Sequence, residues 1–303
     1  MSQDGALGLA EHGYSSAQIL AHYYPGTAIG QAPAGAIVRV KVGSKILRLP
    51  LERYVRGVVA AEMPAGWPAA ALQAQAIASR TYALTSHVGS SFDVYSDTRS
   101  QVYRGAAAET PQSNAAVAAT AGQIVTYAGQ PAITYFFASS GGQTEDVENA
   151  FEGAEPAPWL KGVPDPYEGR SSRWTLNLSS TSAAARLHGL LKGTLRGIEV
   201  LRRGVSPRIL LAELLGSRGV TRVSGPVLAY RLGLPSAWAY FSVQSGSRLI
   251  RQPDLSGRGT PAWPSPSSAG PVPLRSSTPP AAAGGSQAPA GSSSASSGGT
   301  SAG

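Results

Sequence analysis

Apolar and basic residues alternate in two short segments, IVRVKV at 37–42 and KILRL at 45–49. This alternation is typical of strands with one buried and one wet face, and the Gly-Ser pair between the segments is typical of a hairpin turn. The pattern therefore predicts a two-stranded antiparallel hairpin that ends at Pro50.

Helical spacing begins directly after Pro50. The apolar residues that share one helical face are Leu51, Tyr54, Val55, Val58 and Val59. They predict an amphipathic helix over 51–61, which must end in the Pro- and Gly-containing stretch at 64–68.

A second helix is predicted from Pro68, because proline suits the first helical position. Its sequence is PAAALQAQAIASRTYALTSH, and its apolar stripe would use Leu72, Ala76, Ala83 and Leu84. The polar residues Gln75, Ser79 and Arg80 would lie elsewhere around the cylinder.

Later segments alternate between helical and strand-like patterns. Thr110 before Pro111 predicts a capped helix over PQSNAAVAAT, and Ser15 and Ser16 precede another short helix. A hairpin is predicted to turn at AGQ within QIVTYAGQPAITYFFA. Further strands are predicted at 172–180, 197–203, 207–216 and 222–225, with helices near 180–191 and 225–232.

These elements predict an α+β fold in which a helix pair packs on antiparallel sheet elements and forms a substrate cleft. We expect an N-terminal helical segment at 1–30 and one domain at 31–251. The remainder, 252–303, is rich in Pro, Ser, Gly and Ala and is predicted to be disordered, because it has too little apolar surface to bury.

The amino-acid composition excludes some kinds of active site and favours some kinds of partner. The chain has 303 residues, no cysteine and a net charge of +8. The lack of cysteine excludes disulfides, thiolate catalysis and cysteine-bound metals. No apolar run approaches the roughly 18 residues of a membrane helix, so no membrane span is expected. The positive charge favours polyanionic partners such as nucleic acid, anionic lipid or a cell-wall polymer.

One carboxylate stands out, since Glu62 follows the apolar run VVAA where the first helix must end. The C-terminal end of a helix and apolar neighbours both disfavour a charged carboxylate, and a protonated carboxyl can serve as a general acid. The alternative is an ordinary helix-end residue that faces water. Arg80, on the next helix, could approach Glu62 or bind a substrate anion, and its alternative is a solvated surface arginine.

Several long motifs in a fixed order resemble the stage II sporulation protein D family, also called the SpoIID/LytB domain. The first is LPLERYVRGVVAAEMPAGWPAAALQAQAIASRTYAL, and SDTRSQVYRG contains a Gln-Val-Tyr-x-Gly element. They are followed by TAGQIVTYAGQPAITYFFASSGGQTED, WLKGVPDPYE and RVSGPVLAYRLGLPSAWAYF. The resemblance covers roughly residues 35 to 243.

The resemblance implies a bacterial cell-wall function. Some members of the family are lytic transglycosylases, which cut peptidoglycan glycan strands, and others are named enhancers of a cell-wall amidase. In the enzymes the Glu of the Glu-Met-Pro motif is the catalytic acid, which corresponds to Glu62. The Arg of the Ala-x-x-Arg-Thr-Tyr pattern corresponds to Arg80.

Lytic transglycosylase chemistry fits a single carboxyl group. The acid protonates the glycosidic oxygen between muramic acid and glucosamine, and as a base it then deprotonates the primary hydroxyl of muramic acid. That hydroxyl closes an anhydro ring, so no second carboxylate is needed, unlike in two-carboxylate hydrolases. Asp93 and Asp97 are the candidates for a second acid, but both lie beyond the second helix.

Hydrogen-bonding side chains for sugars are expected in two of the motifs. Gln101 and Tyr103 belong to the Gln-Val-Tyr element, and Ser139 and Ser140 open the Ser-Ser-Gly-Gly segment. The alternative for the second pair is a simple glycine-rich turn.

No metal or other cofactor is expected. Some family members bind zinc through two cysteines near the Gln-Val-Tyr element and a nearby histidine. This chain has Ser96 and Ser100 at the matching positions. His87 alone is a poor zinc site.

The first residues, MSQDGA, look like an internal piece of the family, where Met-Ser-Gln follows a Gly-His-Gly-x-Gly stretch. We therefore expect that the start lies further upstream, with an export signal, and that the protein acts outside the cytoplasm at the cell wall. The rival interpretation is an intracellular or degenerate copy.

Two functions remain open at this stage. The first is a lytic transglycosylase that acts on peptidoglycan glycan strands through Glu62. The second is a non-catalytic cell-wall protein that enhances an amidase partner. A nucleic-acid partner is not expected, because the basic residues are scattered and no nucleic-acid motif is present.

Overall fold

The computed structural model describes residues 1–151, 153–168, 174–245 and 248–250. These residues form helices and small, mainly antiparallel sheets, so the α+β class is confirmed. The predicted disordered tail at 252–303 lies outside the described residues, and the domain boundaries at 30 and 251 stay predictions. In the described part of the chain, no helix is long and apolar enough to cross a membrane.

The helices alternate with short strands along the chain. The helices are α1 (Gln3–Glu11), α2 (Ser16–Tyr23), α3 (Leu51–Glu62), α4 (Ala69–Thr85), α5 (Pro111–Ala119), α6 (Val147–Ala150), α7 (Ser180–Arg186) and α8 (Gly225–Leu232). The strands are β1 (Ala28–Gln31), β2 (Ile37–Val42), β3 (Lys45–Pro50), β4 (Val94–Tyr95), β5 (Gln123–Tyr127), β6 (Gln130–Pro131), β7 (Leu195–Arg203), β8 (Ile209–Gly216), β9 (Gly219–Ser224), β10 (Val243–Ser245) and β11 (Arg248–Ile250).

The predicted hairpin is confirmed, because β2 and β3 pair antiparallel with Val42 opposite Lys45. β4 joins β2 in parallel and completes a three-stranded sheet. Two other antiparallel sheets have the orders β1-β5-β6 and β7-β8-β9, and β10 pairs with β11. The predicted turn at AGQ is confirmed, with Ala128 and Gly129 both at positive φ.

The predicted helices after Pro50, Pro68 and Thr110 are confirmed. The strand predicted at 172–180 is wrong for its described part, which contains no strand from 174 to 179. Ser179 there caps α7, since its side chain accepts a hydrogen bond from the backbone N–H of Ser182. The backbone of Ser179 is extended, but it leads into a helix and pairs with no strand.

α4 is buried around most of its circumference, contrary to the single apolar stripe predicted for it. Helices α1, α2, α3 and α5 and strand β5 all contact it. Alanines at many positions let these neighbours approach closely, and Gln75, Ser79 and Arg80 are fully buried. The polar side chains of α4 must therefore find partners inside the protein.

Arg80 finds its partner in Glu52 on α3. Its Nε and Nη2 atoms each lie 2.8 Å from a Glu52 carboxylate oxygen, a bidentate geometry. Its Nη1 donates to the carbonyl of Gln123 at 2.9 Å, and the N–H of Gly122 donates to Glu52 at 3.1 Å. Arg80 is thus a buried structural residue that joins α3, α4 and the start of β5, and the alternative of a solvated arginine is wrong.

The ion pair also changes the ionisation of Glu52. Partial burial raises the pKa of its carboxyl, but hydrogen bonds and charge from Arg80 outweigh burial, so this pKa lies below its usual value. A lowered carboxyl pKa contributes stability above the unfolded-state pKa, and that contribution is lost as the pH falls through the folded-state value.

A second interaction positions the segment at 101–105 along α3. The Tyr103 ring stacks on Tyr54 with centroids 5.3 Å apart and covers Gly57. The N–H of Arg104 donates to the carbonyl of Gly57 at 3.2 Å. A Cβ on Gly57 would lie 2.5 Å from the Tyr103 ring and 3.1 Å from the Cα of Gly105. Glycine at this position is therefore required for close approach.

The chain from 174 to 241 forms a second apolar cluster. Its largest buried members are Leu187, Ile209, Leu214, Leu228 and Leu232. α8 covers one face of the β7-β8-β9 sheet through contacts with β8 and β9. Arg208 connects this part to the Ser-Ser-Gly-Gly segment, because it donates to the carbonyls of Ser140 and Gln143 at 2.6 and 3.0 Å.

Glu52→Gln is expected to lower the free energy of unfolding at pH 7 by about 2 kcal/mol, because it leaves the buried Arg80 guanidinium without its counter-ion. The loss should shrink as the pH falls below the ordinary glutamate pKa of about 4.3 and through the lower folded-state value, where the wild-type carboxyl also becomes neutral. Urea unfolding at several pH values measures both effects. Glu213→Gln is the matched control, because its partner Arg222 is 72% exposed. A loss no larger than that of the control would contradict a structural role for the buried pair.

Gly57→Ala is expected to lower the free energy of unfolding by about 1–3 kcal/mol, because the new methyl group collides with Tyr103. This outcome opposes the gain of about 1 kcal/mol that Gly→Ala normally brings within a helix. Gly66→Ala is the control, since a Cβ there meets nothing within 4 Å. If chemical denaturation shows that Gly57→Ala is more stable than the wild type, the prediction is contradicted. The segment at 101–105 would then move away from the new methyl group at little cost in free energy.

Candidate active site

Glu62 is the last residue of α3, and its side chain is partly exposed. Its Oε1 accepts a hydrogen bond from the backbone N–H of Val102 at 2.6 Å. Its Oε2 accepts one from Nε2 of Gln3 at 3.2 Å. These two donors offset the unfavourable position of a negative charge at a helix C-terminus. The carboxylate is therefore held in a defined orientation, unlike that of a free helix-end residue.

The motif at 101–105 supplies one of these donors because it is anchored on both sides of Val102. On one side, Gln101 is 1% exposed and its Nε2 donates to the carbonyl of Ser79 at 3.2 Å. Its amide also interacts with the buried Tyr54 hydroxyl, without the geometry of a full hydrogen bond. On the other side, Tyr103 packs on α3 and stays partly exposed. Gln101 is thus an internal anchor, and Tyr103 is the member of this pair with accessible surface.

Arg80 is not brought to Glu62. Its guanidinium donates to Glu52 and to backbone carbonyls, and its side chain is 0% exposed. In this structure the guanidinium forms the α3–α4 ion pair, and the expected role of Arg80 in binding a substrate anion stays a prediction.

The Ser-Ser-Gly-Gly segment binds a carboxylate of the protein itself. Ser139 Oγ and Ser140 Oγ donate to Glu168, and the N–H groups of Ser140 and Gly141 donate to it at 2.7 and 2.8 Å. Ser140 is 0% exposed and its hydroxyl makes this internal contact, so its expected contact with a sugar stays a prediction. The segment is also a turn, with Gly141 and Gly142 at positive φ.

A second acid lies against the same serine. Ser140 Oγ is 2.9 Å from Asp165, which also accepts a hydrogen bond from the Tyr23 hydroxyl at 2.9 Å. Burial raises the pKa of Asp165 to about 6, the Tyr23 and Ser140 hydrogen bonds oppose this, and the Glu168 charge adds to it. Burial also raises the pKa of Glu168, but its hydroxyl and amide donors outweigh burial and lower that pKa.

The first turn of α1 lies between Glu168 and Glu62. The Ser2 hydroxyl caps α1 at the N–H of Gly5 and donates to Glu168 at 3.3 Å. The next residue, Gln3, contacts Glu62. Sequence reasoning did not assign a site role to Gln3, although the Met-Ser-Gln run was a signal that could have suggested one.

Neither candidate for a second acid contacts Glu62. Asp93 is paired with Arg39 at 2.6 Å, and Asp97 is paired with Arg99 at 2.6 Å. Within the described ranges, the Glu62 side chain accepts hydrogen bonds from two neutral N–H groups.

A family model and two relatives that are similar to this chain carry the same family description. Residues 41–127 match the family model described as "Stage II sporulation protein". Stage II sporulation protein D of Bacillus subtilis (strain 168) is 35% identical over 170 residues, which are 50% of this chain and 49% of that protein. The protein of the same name from Bacillus amyloliquefaciens is 29% identical over 228 residues, or 68% and 64% of the two chains.

A relative with a different name is similar to this chain over fewer residues. The amidase enhancer of Bacillus subtilis (strain 168) is 36% identical over 128 residues, which are 41% of this chain and 17% of that protein. The matched residues are about half of the Bacillus subtilis sporulation protein and less than two thirds of the one from Bacillus amyloliquefaciens. The family model and the two sporulation proteins each match part of this chain, and together they support its resemblance to the stage II sporulation protein D family.

Proposed function

We propose that the protein is a peptidoglycan lytic transglycosylase that cleaves glycan strands between muramic acid and glucosamine. The observation that carries this proposal is the Glu62 carboxylate, which is partly exposed and held by two neutral N–H donors. This arrangement supplies one oriented acid–base group whose side-chain hydrogen bonds, within the described part of the chain, come from Gln3 and Val102 and not from a second carboxyl group. The α3–α4 pair and the adjoining sheets would then border the cleft in which the glycan lies.

The reaction uses Glu62 twice. The protonated carboxyl first gives its proton to the glycosidic oxygen, and the bond between that oxygen and the anomeric carbon of muramic acid breaks. The resulting carboxylate then takes the proton from the primary hydroxyl of the same sugar. The hydroxyl oxygen bonds to the anomeric carbon and closes an anhydro ring. Glu62 thereby regains its proton, and water is not consumed.

The donors around Glu62 suit both halves of this cycle. Gln3 and Val102 stabilise the carboxylate that forms when the first proton leaves. Because both donors are neutral, they do not lock the carboxylate into a salt bridge that would prevent its return to the acid form. A two-carboxylate hydrolase would need a second acid at a defined distance, either as a nucleophile or to activate water.

Tyr103 and Ser139 are the expected sugar-binding residues that keep some exposure. We propose them as contacts at the rim of the site, and we assign anchoring roles to Gln101, Ser140 and Arg80. Because the substrate is a cell-wall polymer, the proposed place of action is outside the cytoplasm.

The second candidate function is that of a non-catalytic cell-wall protein that enhances an amidase. It is favoured by the similarity to the Bacillus subtilis amidase enhancer and by the net charge of +8, which suits binding to an anionic polymer. In this case Glu62 would hold α1 and the segment at 101–105 in place, and it would not transfer protons.

Glu62→Gln is expected to lower the rate of glycan cleavage by about 10³-fold, because the amide cannot donate or accept the proton. Mass spectrometry of purified glycan strands, with stem peptides removed, measures the anhydro-muramic ends that form. Glu11→Gln is the matched control, because Glu11 also ends a helix but is exposed. Its activity should equal that of the wild type.

Absence of anhydro products with the wild-type protein would overturn the enzymatic proposal. An amidase assay on intact cell wall then tests the second function. Stimulation of the amidase by both the wild type and Glu62→Gln would support it, and lack of stimulation would reject it.

A further inference from the structure

A row of polar side chains lies beneath Glu62, between α1 and α4. Gln3 is 6% exposed, and Gln75 and Ser79 are 0% exposed. A buried amide costs free energy unless its donor and acceptor ends are both satisfied. The proposed reaction uses only Gln3, so the two residues behind it require their own explanation.

The three side chains form a continuous hydrogen-bonded relay. Nε2 of Gln75 donates to Oγ of Ser79 at 2.9 Å. Oε1 of Gln75 accepts from Nε2 of Gln3 at 3.5 Å. The same Nε2 donates to Oε2 of Glu62 at 3.2 Å. The relay therefore runs from the core of α4 to the carboxylate.

The relay has a direction because a carboxamide has one donor end and one acceptor end. The donor end of Gln75 is directed at Ser79, so its oxygen faces Gln3. Gln3 must then present its NH₂ group to Gln75, and that group is the one that reaches Glu62. The carboxylate can only accept, so it requires this NH₂ group, and Gln75 holds the same group from the other side by offering it an oxygen. The Ser79 hydroxyl, which can accept as well as donate, satisfies the other end of Gln75.

We propose that Gln75 is a positioning residue that acts through Gln3 to stabilise the carboxylate form of Glu62. The role of this stabilisation in catalysis rests on the proposed transglycosylase function, but the relay itself does not. In that reaction the relay would favour the state after the first proton transfer, when Glu62 must act as a base.

Two further groups among the described residues act on Glu62, and neither carries a charge near neutral pH. The Val102 donor is a backbone N–H on the segment at 101–105. Tyr54, on α3 itself, interacts electrostatically with Glu62, and burial raises the pKa of its phenol above the usual value. A change in the titration of Glu62 on substitution of Gln75 would therefore come through Gln3.

The test is an NMR titration of the Glu62 side-chain carboxyl carbon in the full chain labelled at glutamate, with Glu62→Gln used to assign the signal. Gln3→Met removes the donor and is expected to move the titration midpoint up by about one pH unit. Gln75→Met leaves Gln3 in place but frees its amide to rotate, and is expected to move the midpoint up by about half a unit. Gln112→Met is the control, since Gln112 is exposed on α5, and it should leave the midpoint unchanged.

An unchanged midpoint in Gln75→Met, alongside a shift in Gln3→Met, would overturn the relay. An unchanged midpoint in both variants would also rule out Gln3 as a donor that stabilises the Glu62 carboxylate. If Gln75→Met does not fold, Ser79→Ala replaces it, because the loss of one hydroxyl frees the donor end of Gln75 and should produce a smaller upward shift. No shift in that folded variant would also overturn the relay.

The titration separates this inference from the proposed function. If the wild type forms anhydro products, the alkaline limb of its pH–rate profile should move up in Gln75→Met by the amount that the titration shows. If it forms none, the transglycosylase proposal fails, and the NMR midpoints still decide whether the relay exists.

Discussion

The ion pair between the buried Arg80 and the partly exposed Glu52 is the interaction on which the geometry of the site depends. A guanidinium with no exposed surface is tolerated only because a bidentate carboxylate and backbone carbonyls satisfy it. The pair locks the first turn of α3 against α4. Glu62 ends the same helix, about 15 Å further along its axis. Because the ion pair fixes the start of α3 against α4, it also fixes the position of the candidate acid.

Glu62 itself is oriented by groups that come from distant parts of the chain. α1 brings Gln3, and the segment after β4 brings the N–H of Val102. The close contact of Tyr103 with Gly57 holds that segment against the helix. A single carboxylate thus acquires a defined environment from three separate elements, and each of them is fixed by packing at some distance from the carboxylate.

The Ser-Ser-Gly-Gly segment shows how a motif suited to ligand binding can serve the fold. Its hydroxyl and amide groups converge on Glu168, a carboxylate of the same chain. A partly buried carboxylate needs several donors, and a glycine-rich turn supplies backbone N–H groups at close range. Because Ser2 also bonds Glu168, this cluster holds the start of α1 and so supports the helix that carries Gln3.

The sequence alone determined the elements whose causes are local. Alternation specified the β2–β3 hairpin, proline and threonine specified where α4 and α5 begin, and the family motifs singled out Glu62. These features follow from neighbouring residues, so a linear pattern contains them. The alternating pattern at 172–180 did not give a strand in its described part, 174–179, because alternation alone does not supply a neighbouring strand to pair with.

Only the tertiary structure decided which polar residues face the site and which lie inside. Arg80 and Gln101 read as surface groups for a ligand, but both are buried, because α4 is covered by neighbours from many parts of the chain. Gln3 and Gln75 are far apart in sequence, and their relay exists only because α1 packs on α4. The burial of a side chain and the identity of its hydrogen-bond or ion-pair partner depend on contacts between distant segments. Local periodicity in the sequence does not contain such contacts.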